Sequence, residues 1–254
     1  MPRISRESII SPYIHVIIQG IDKEYIFQKN EYKLEYLKLL KKNISEFDDV
    51  KLLAYCVMDN HIHLLIYTEN VNELSKVMSR VNTSYGIFYN KSMNRVGYVF
   101  RNRYYTQQIL DKKHLWNVLA YIHKNPVKAK IVKSEKDYKY SSYNDFINNN
   151  INKEIINLIF NDENYINQFY YIHKNYSENN IIDIKDDIKT TISKVKNIVK
   201  NFCTKYNVEI NIAKKDNYLL KKLVSEIKNN SDASNKLICE HLGIGKNRIT
   251  NLKK

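Results

Sequence analysis

The first two thirds of the chain alternate between short apolar runs with strand character and longer segments with helical periodicity. The predicted strands, rich in β-branched and aromatic residues, are 13–18, 50–58 and 61–67, with a bent or broken strand at 97–110. The predicted helices, where apolar residues recur every three or four positions, are 31–44, 72–89 and 112–125. Asn72 and Asp111 are predicted N-caps, and Pro126 is predicted to close the third helix.

This order of elements predicts an α+β fold with a mostly antiparallel sheet. An Asn-rich break precedes two short predicted helices, and the pattern is helical throughout from Ile188. We therefore predict a catalytic-type domain at 1–150, a helical extension and connector at 151–187, and an all-α domain at 188–254. The last of these contains two helices, 235–242 and a basic 246–254, around a turn with two glycines. That arrangement is a helix-turn-helix signature.

Charge favours a polyanionic partner. The chain carries a net charge of +14, and residues 189–254 hold 15 Lys/Arg against 5 Asp/Glu, a net of +10. Residues 1–146 have a net charge of +8, while 147–188 have −4. Nucleic acid is the usual partner of such a chain, with an anionic membrane surface as the rival. A sequence rich in Lys, Asn, Ile and Tyr can also reflect nucleotide bias in its genome, so composition alone carries limited weight.

Other global features favour a cytoplasmic, nucleoid-associated protein. No apolar run approaches the length of a membrane span, so we expect no membrane anchor, and the N-terminus lacks the apolar region of a signal peptide. The three cysteines are few and widely spaced, which indicates a reducing compartment and no cysteine zinc site.

The candidate chemistry lies on two segments. His61 and His63 are separated by one residue in a predicted strand, so both point to one face and can share a divalent metal. Tyr121 and Asn125 lie one turn apart on a predicted helix. An amide oxygen at Asn125 suits Mg²⁺ or Mn²⁺, and a tyrosine hydroxyl one turn away could attack a phosphate on that metal, forming a covalent intermediate.

Each of these residues also has a structural interpretation. The two histidines could be strand residues with satisfied hydrogen bonds, Tyr121 could pack in the core, and Asn125 could cap the helix. His123 is two positions from Tyr121 and is expected to be structural or DNA-facing. His15 lies in the middle of a predicted strand and is expected to be a core residue.

Four motifs in order resemble the REP-associated tyrosine transposases, which belong to the HUH single-strand nucleases. They are residues 58–65 (MDNHIHLL), 100–104 (FRNRY), 121–127 (YIHKNPV) and 140–143 (YSSY). The resemblance covers roughly residues 1–175 and implies a ferredoxin-like fold. It also implies that His61, His63 and Asn125 bind the metal and that Tyr121 is the nucleophile. Such enzymes cut single-stranded DNA at or near a hairpin, leaving a 5′-phosphotyrosine and a free 3′-OH.

The sequence departs from the family at two places. Where the family often has Arg-Gly-Asn after its first strand, this chain has Gln19-Gly-Ile21, which puts one DNA contact in doubt. The usual proline in the turn before the histidines is Asp59 here, a change that we expect to be tolerated.

Candidate DNA-binding residues are basic and lie outside the metal site. Arg101 and Arg103 are expected to share a strand face and hold phosphates, with a solvated strand edge as the alternative. As in the family, Arg3 and Arg6 could form an arm that reads DNA next to the hairpin, or they could be disordered. Lys246 and Arg248 belong to the second helix of the helix-turn-helix signature, which could instead be a helical interaction module.

These features predict a metal-dependent transposase or endonuclease that cuts and rejoins hairpin-containing single-stranded DNA. One alternative is a domesticated, non-catalytic DNA-binding regulator with the same fold. Another is a metal-dependent hydrolase that uses water, in which Tyr121 is only structural. The sequence leaves open whether the protein is a monomer or a homodimer that exchanges its tyrosine helix.

Overall fold

A computed structural model of the chain divides into two compact units, residues 1–183 and 184–254. The structure describes residues 9–101, 103–160, 162, 164–177, 181, 188–230, 233, 235–245 and 248–249. Within these ranges, no helix combines the length and the apolar character that a membrane span requires.

The N-terminal unit is built on a four-stranded antiparallel sheet. Its strands are β1 (Tyr13–Gln19), β2 (Lys51–Val57), β3 (His61–Tyr67) and β4 (Tyr105–Gln108). They lie in the order β2-β3-β1-β4, with antiparallel pairing between all neighbours. The central strands β1 and β3 are buried along almost their whole length, which explains their apolar character on both faces.

The described residues of this unit also form six α-helices. They are α1 (Asn30–Ile44), α2 (Val71–Ser92), α3 (Lys112–Lys128), α4 (Tyr143–Ile147), α5 (Lys153–Ile159) and α6 (Ile166–Lys174). The order β1-α1-β2-β3-α2-β4 and the strand order are those of the ferredoxin-like fold, so the predicted fold class is confirmed. α1 and α2 pack together, and α3 packs on β2 and β3.

Three boundaries differ from the sequence predictions: the start of α2, the strand at 97–110 and the end of α3. The N-cap of α2 is Asn70, whose side chain accepts a hydrogen bond from the Asn72 backbone N–H, so the predicted cap at Asn72 is wrong. The predicted strand at 97–110 is reduced to β4 and one isolated bridge between Phe100 and Gly20.

Pro126 does not end α3, because the helix continues to Lys128. Although a proline lacks an N–H donor, the final turn is closed by backbone bonds from Ala129 to Asn125 and from Ile131 to Pro126. Lys130 then takes a positive φ of 57° and ends the helical geometry. The predicted cap at Asp111 is confirmed, since its carboxylate accepts from the His114 N–H at 2.8 Å.

A buried lysine of α1 stabilises the turn between β2 and β3. Lys33 of α1 is 3% exposed, and its ammonium donates to Asp59 at 2.6 Å and to the Phe27 carbonyl at 2.7 Å. The backbone of Gly20 also bonds the Asn60 carbonyl at 3.0 Å. Asp59 therefore ties the turn to α1, which gives a physical reason for an acidic residue at this position. Because Asn60 and His61 follow directly, these bonds also position the start of β3.

The C-terminal unit is helical and has its own apolar core. Its helices are α7 (Ile188–Tyr206), α8 (Ile210–Ala213), α9 (Asn217–Asn230) and α10 (Asn235–Leu242). The core includes Phe202, Leu220, Leu223, Ile227 and Ile238. The predicted helix 235–242 is thus present, and a turn follows it with Gly243 at φ +64°. Most of the second predicted helix, including Lys246, lies outside the described residues.

Candidate active site

Three histidines converge on one face of the sheet. Antiparallel pairing places His63 opposite Ile17 and His61 opposite Gln19, so His15, two positions before Ile17, shares this face. His15 Nε2 and His63 Nδ1 are 3.0 Å apart in a fully buried hydrogen bond. The His61 and His63 rings are perpendicular, with centroids 4.7 Å apart. The strand alternation predicted from the sequence therefore brings both candidate ligands together.

His61 is oriented by the residue before it. Its Nδ1 lies 2.8 Å from Asn60 Oδ1. Because an amide oxygen only accepts hydrogen bonds, the His61 Nδ1 is the donor, and in a neutral ring the lone pair for a metal is then on Nε2.

Tyr121 meets the histidines where α3 packs on the sheet. Its ring centroid lies 5.3 Å from that of His63, with the rings perpendicular, and 6.0 Å from that of His15. The side chain is only 1% exposed. The helix that carries the candidate nucleophile thus docks on the sheet face that carries the candidate ligands.

Asn125 and Lys128 lie on the same face of α3 as Tyr121. Asn125 is 6% exposed, and its side-chain nitrogen donates to the Tyr121 carbonyl at 2.9 Å. This bond uses the amide nitrogen, whereas a hard divalent ion binds the amide oxygen. Lys128 is exposed, and its ammonium lies 4.7 Å from the centroid of the Tyr121 ring. The spacing i, i+4, i+7 puts all three residues on one helix face.

Burial keeps His15 and His63 neutral. It lowers the pKa of His63 well below its usual value, and the electrostatic effects of His61, His15 and Lys128 lower it further. Burial also lowers the pKa of His15 to about 4, although the Gln107 side chain opposes this shift. Neutral imidazole is the form that binds metals, so His63 needs no deprotonation step at neutral pH.

The donor set fits a divalent cation. Among the described residues, His63 Nε2 is a buried nitrogen with no hydrogen-bond partner. Buried polar atoms are normally paired, so an unpaired nitrogen at this position is compatible with a metal ligand. A metal-binding histidine typically donates its other ring N–H to a fixed acceptor, and Asn60 supplies one for His61. We conclude that His61 and His63 are suited to hold a metal ion, with Asn125 as the third candidate.

Comparison with known proteins shows what this unit is similar to. Residues 8–125 match the family model described as "Transposase IS200 like". A protein of Haemophilus influenzae that carries the name of a REP-associated tyrosine transposase is 27% identical over an alignment of 148 residues, with 52% of this chain and 78% of the relative covered. The N-terminal unit is thus similar to IS200-like transposases and to a REP-associated tyrosine transposase. We call residues 1–183 the transposase unit to record this similarity.

A solved structure supports the same fold for the transposase unit. It is the structure of a REP-associated tyrosine transposase bound to a REP hairpin. The two share 15% sequence identity with a TM-score of 0.50, and the similar region covers 60% of this chain and 88% of that chain. At this level of identity the comparison establishes the ferredoxin-like fold.

The basic residues predicted to bind DNA lie in different parts of the fold. Arg101 and Arg103 are exposed and lie in bends before β4, so the expectation that they share a strand face is wrong. Arg101 donates to Gln19 Oε1 at 3.4 Å, and its backbone N–H bonds the Gln19 carbonyl. Since Gln19 is the cross-strand neighbour of His61, Arg101 lies at the edge of the histidine site.

The remaining predicted DNA contacts are described only in part. Arg3, Arg6 and Lys246 lie outside the described residues. Arg248 is exposed in the C-terminal unit and donates to the Lys215 carbonyl at 3.3 Å.

Sequence reasoning missed four residues of the transposase site: His15, Gln19, Asn60 and Lys128. His15 is buried as expected, but it contacts a candidate ligand instead of packing only against apolar neighbours. Lys128 could have been found from its helical spacing to Tyr121 and Asn125. Gln19 could not, because its proximity to His61 depends on the pairing register of β1 and β3.

A second histidine pair anchors α3 from its other side. His173 Nδ1 lies 2.7 Å from the Phe169 carbonyl and must donate to it, so His173 Nε2 accepts from His123 Nδ1 at 2.9 Å. His123 Nε2 in turn accepts from the Ser142 hydroxyl at 2.9 Å. His123 is therefore a structural residue that fixes α3 to α6 and to the loop before α4.

This pair predicts acid sensitivity of the transposase unit. Burial lowers the pKa of His173 to about 4, with Glu135 opposing the shift and Lys124 adding to it, and burial also lowers the pKa of His123. The unfolded chain therefore binds more protons, and stability falls as the pH drops from about 6.5 towards 4, by on the order of 3 kcal/mol for His173. Trp116, the only tryptophan, allows urea unfolding of this unit to be followed by fluorescence.

The variant His173→Leu isolates this contribution. It should reduce the dependence of the free energy of unfolding on pH by up to about 1.4 kcal/mol per pH unit between pH 6 and 4.5. An unchanged slope would mean that His173 is not buried in its neutral form.

Proposed function

We propose that the chain is a metal-dependent transposase and endonuclease that cuts and rejoins hairpin-containing single-stranded DNA through a 5′-phosphotyrosine. The observation that carries this proposal is the contact between Tyr121 and His63, because it joins a nucleophile to a potential metal ligand. Similarity to IS200-like and REP-associated tyrosine transposases supports the same chemistry.

In the proposed reaction, Tyr121 Oη attacks the phosphorus of the scissile phosphodiester. A bond forms between Oη and phosphorus, and the bond from phosphorus to the 3′ oxygen breaks. The phenol loses its proton to solvent, and the 3′ oxygen takes one up, which leaves a 5′-phosphotyrosine and a free 3′-OH. Attack of a 3′-OH on the phosphotyrosine reverses these changes and rejoins the strand. Mg²⁺ or Mn²⁺ held by His61, His63 and Asn125 would polarise the phosphate.

The burial of Tyr121 adds a requirement to this mechanism. A side chain that is 1% exposed cannot reach a phosphodiester unless the contact between α3 and the sheet opens. We propose that DNA enters at the edge of the site marked by Arg101 and Lys128, both of which are exposed. Opening at this edge separates Tyr121 from His63 while β3 continues to hold both histidines.

The proposed substrate is a single strand with hairpins. The structurally similar transposase was solved with a REP hairpin, and its fold matches that of the transposase unit. The C-terminal unit is proposed to add a second DNA contact through a helix-turn-helix that begins with α10. The net charge of +10 in residues 189–254 supports this role.

A covalent-adduct assay tests the proposal. The full chain is incubated with labelled hairpin-containing single-stranded DNA and Mn²⁺, and products are separated under denaturing conditions. A protein–DNA adduct that disappears with EDTA is expected. Cleavage without an adduct would instead support a water-dependent hydrolase, and sequence-selective binding without cleavage would support a non-catalytic regulator.

Lys128 is expected to contribute to phosphate binding. Its ammonium is exposed and lies close to the Tyr121 ring, so it can contact the phosphate that the tyrosine attacks. Replacing it by alanine should lower the rate of adduct formation about 10-fold, equivalent to the loss of one charge-assisted contact. Lys113→Ala, which removes an exposed lysine from the first turn of α3, is the matched control. Equal rates for both variants would remove Lys128 from the site.

Arg101 is expected to bind a phosphate of the same strand. Its guanidinium is exposed and is held beside the site through Gln19. Arg101→Ala should reduce the slope of log binding constant against log salt concentration by about 0.7, the value for one single-strand phosphate contact. Binding titrations of hairpin DNA at several salt concentrations measure this slope, and an unchanged slope would contradict the contact.

A further inference from the structure

His15 has no role in the mechanism above, yet it makes a direct hydrogen bond to the candidate ligand His63. The rings of His15 and His63 are nearly parallel, with centroids 5.2 Å apart and the nitrogens 3.0 Å apart. Both side chains are fully buried. One proton lies between two nitrogens, so one ring must donate and the other accept.

The direction of this bond decides whether His63 can bind a metal. If His63 Nδ1 donates, its Nε2 carries a lone pair, and it is this Nε2 that has no hydrogen-bond partner among the described residues. If His15 donates instead, a neutral His63 carries its proton on Nε2. That arrangement would block the ligand, because the proton would occupy the lone pair of Nε2.

The metal role assigned to His63 requires the first arrangement. In a neutral His15 whose Nε2 accepts from His63, the proton is on Nδ1, the nitrogen not used by His63. Gln107 lies opposite His15 in the pairing of β1 with β4, so its side chain lies on the same sheet face as the histidines.

We propose that His15 is a positioning residue that fixes the tautomer and the orientation of His63 so that Nε2 is presented to the metal. The inference rests on the proposed function, since it assigns the metal role to His63. With Asn60 performing the same task for His61, each candidate ligand has its own acceptor for Nδ1. Outer hydrogen bonds of this kind typically change metal affinity 10- to 100-fold when removed.

The tautomer can be measured without metal. Long-range proton–nitrogen NMR spectra of the ¹⁵N-histidine-labelled, metal-free full chain distinguish Nδ1–H from Nε2–H rings, and the seven histidines can be assigned by single substitutions. His63 is expected to be a single Nδ1–H tautomer. A His63 that carries its proton on Nε2 would overturn the proposal, whatever the activity of the enzyme.

Two variants test whether His15 is the cause. His15→Leu removes the acceptor and should give a mixture of His63 tautomers and a 10- to 100-fold weaker Mn²⁺ dissociation constant by calorimetry. His15→Gln restores an acceptor oxygen and should recover most of this affinity. The matched control is His173→Leu, which breaks the other buried histidine–histidine bond and should leave Mn²⁺ affinity unchanged.

The outcomes separate this inference from the proposed function. If wild type binds Mn²⁺ and His15→Leu binds it equally well, the inference fails and the metal site stands. If wild type binds no Mn²⁺, the proposed metal dependence fails, and the NMR spectrum still decides the tautomer. If His15→Leu does not fold, the wild-type spectrum and the His15→Gln variant decide the question.

Discussion

Replacing Tyr121 by phenylalanine is expected to abolish the covalent protein–DNA adduct. Phenylalanine keeps the ring that contacts His63 and His15 and removes only the hydroxyl that attacks phosphorus. Without an alternative nucleophile at this position, adduct formation should fall by at least about 1,000-fold, which corresponds to roughly 4 kcal/mol in the activation free energy. Binding of hairpin DNA should persist, because the ring and the basic residues around the site are unchanged.

The controls for this variant are available within the chain. Tyr170 lies on α6 and is 50% exposed, so Tyr170→Phe removes a tyrosine hydroxyl away from the candidate ligands and should form the adduct at the wild-type rate. Since the chain contains 21 tyrosines, peptide mapping of the adduct must also locate the DNA on Tyr121. An adduct that survives in Tyr121→Phe would show that another residue is the nucleophile.

Replacing His63 by alanine is expected to remove Mn²⁺ binding and metal-dependent cleavage together. The substitution deletes the buried Nε2 that we assign to the metal, and it leaves His61 and Asn125 as an incomplete set. Mn²⁺ affinity should fall at least about 100-fold, and cleavage by about 1,000-fold, which corresponds to roughly 4 kcal/mol of charge stabilisation. Calorimetry of Mn²⁺ binding and the adduct assay measure the two effects independently.

Two further measurements make the result specific. His241→Ala removes a half-buried histidine from the C-terminal unit and should change neither quantity. Thermal unfolding of His63→Ala must show that the transposase unit is folded, because the substitution also removes the bond to His15. Wild-type Mn²⁺ affinity in His63→Ala would exclude His63 as a ligand, and loss of cleavage alone would assign His63 a role in packing Tyr121.

How much of the site could be predicted depends on whether an interaction is local in the sequence or joins distant segments. His61 and His63 share a strand face because side chains alternate, and Tyr121 and Asn125 share a helix face because of the helical repeat. Both statements depend only on local geometry, and both are confirmed. The predicted end of α3 at Pro126 is wrong, because backbone bonds beyond the proline close the last turn.

The sequence pattern did not predict interactions between distant segments of the chain. His15 contacts His63 across 48 positions because β1 pairs with β3, and Gln19 reaches His61 through the same register. Lys33 supports the Asp59 turn only because α1 packs beneath it. In each case the role of the residue depends on a spatial neighbour that is distant in the sequence. Local periodicity does not identify such a neighbour.

Local periodicity is sufficient to predict the candidate chemistry: two histidines on one strand face, a tyrosine and an amide on one helix face, and a family resemblance that orders them. Tertiary packing establishes that α3 docks on the face of the sheet where the histidines point. It also decided that Tyr121 is buried there and that His15 lies behind His63. The physical reason is that periodicity fixes which side chains share a face, whereas the packing of whole elements fixes which faces meet.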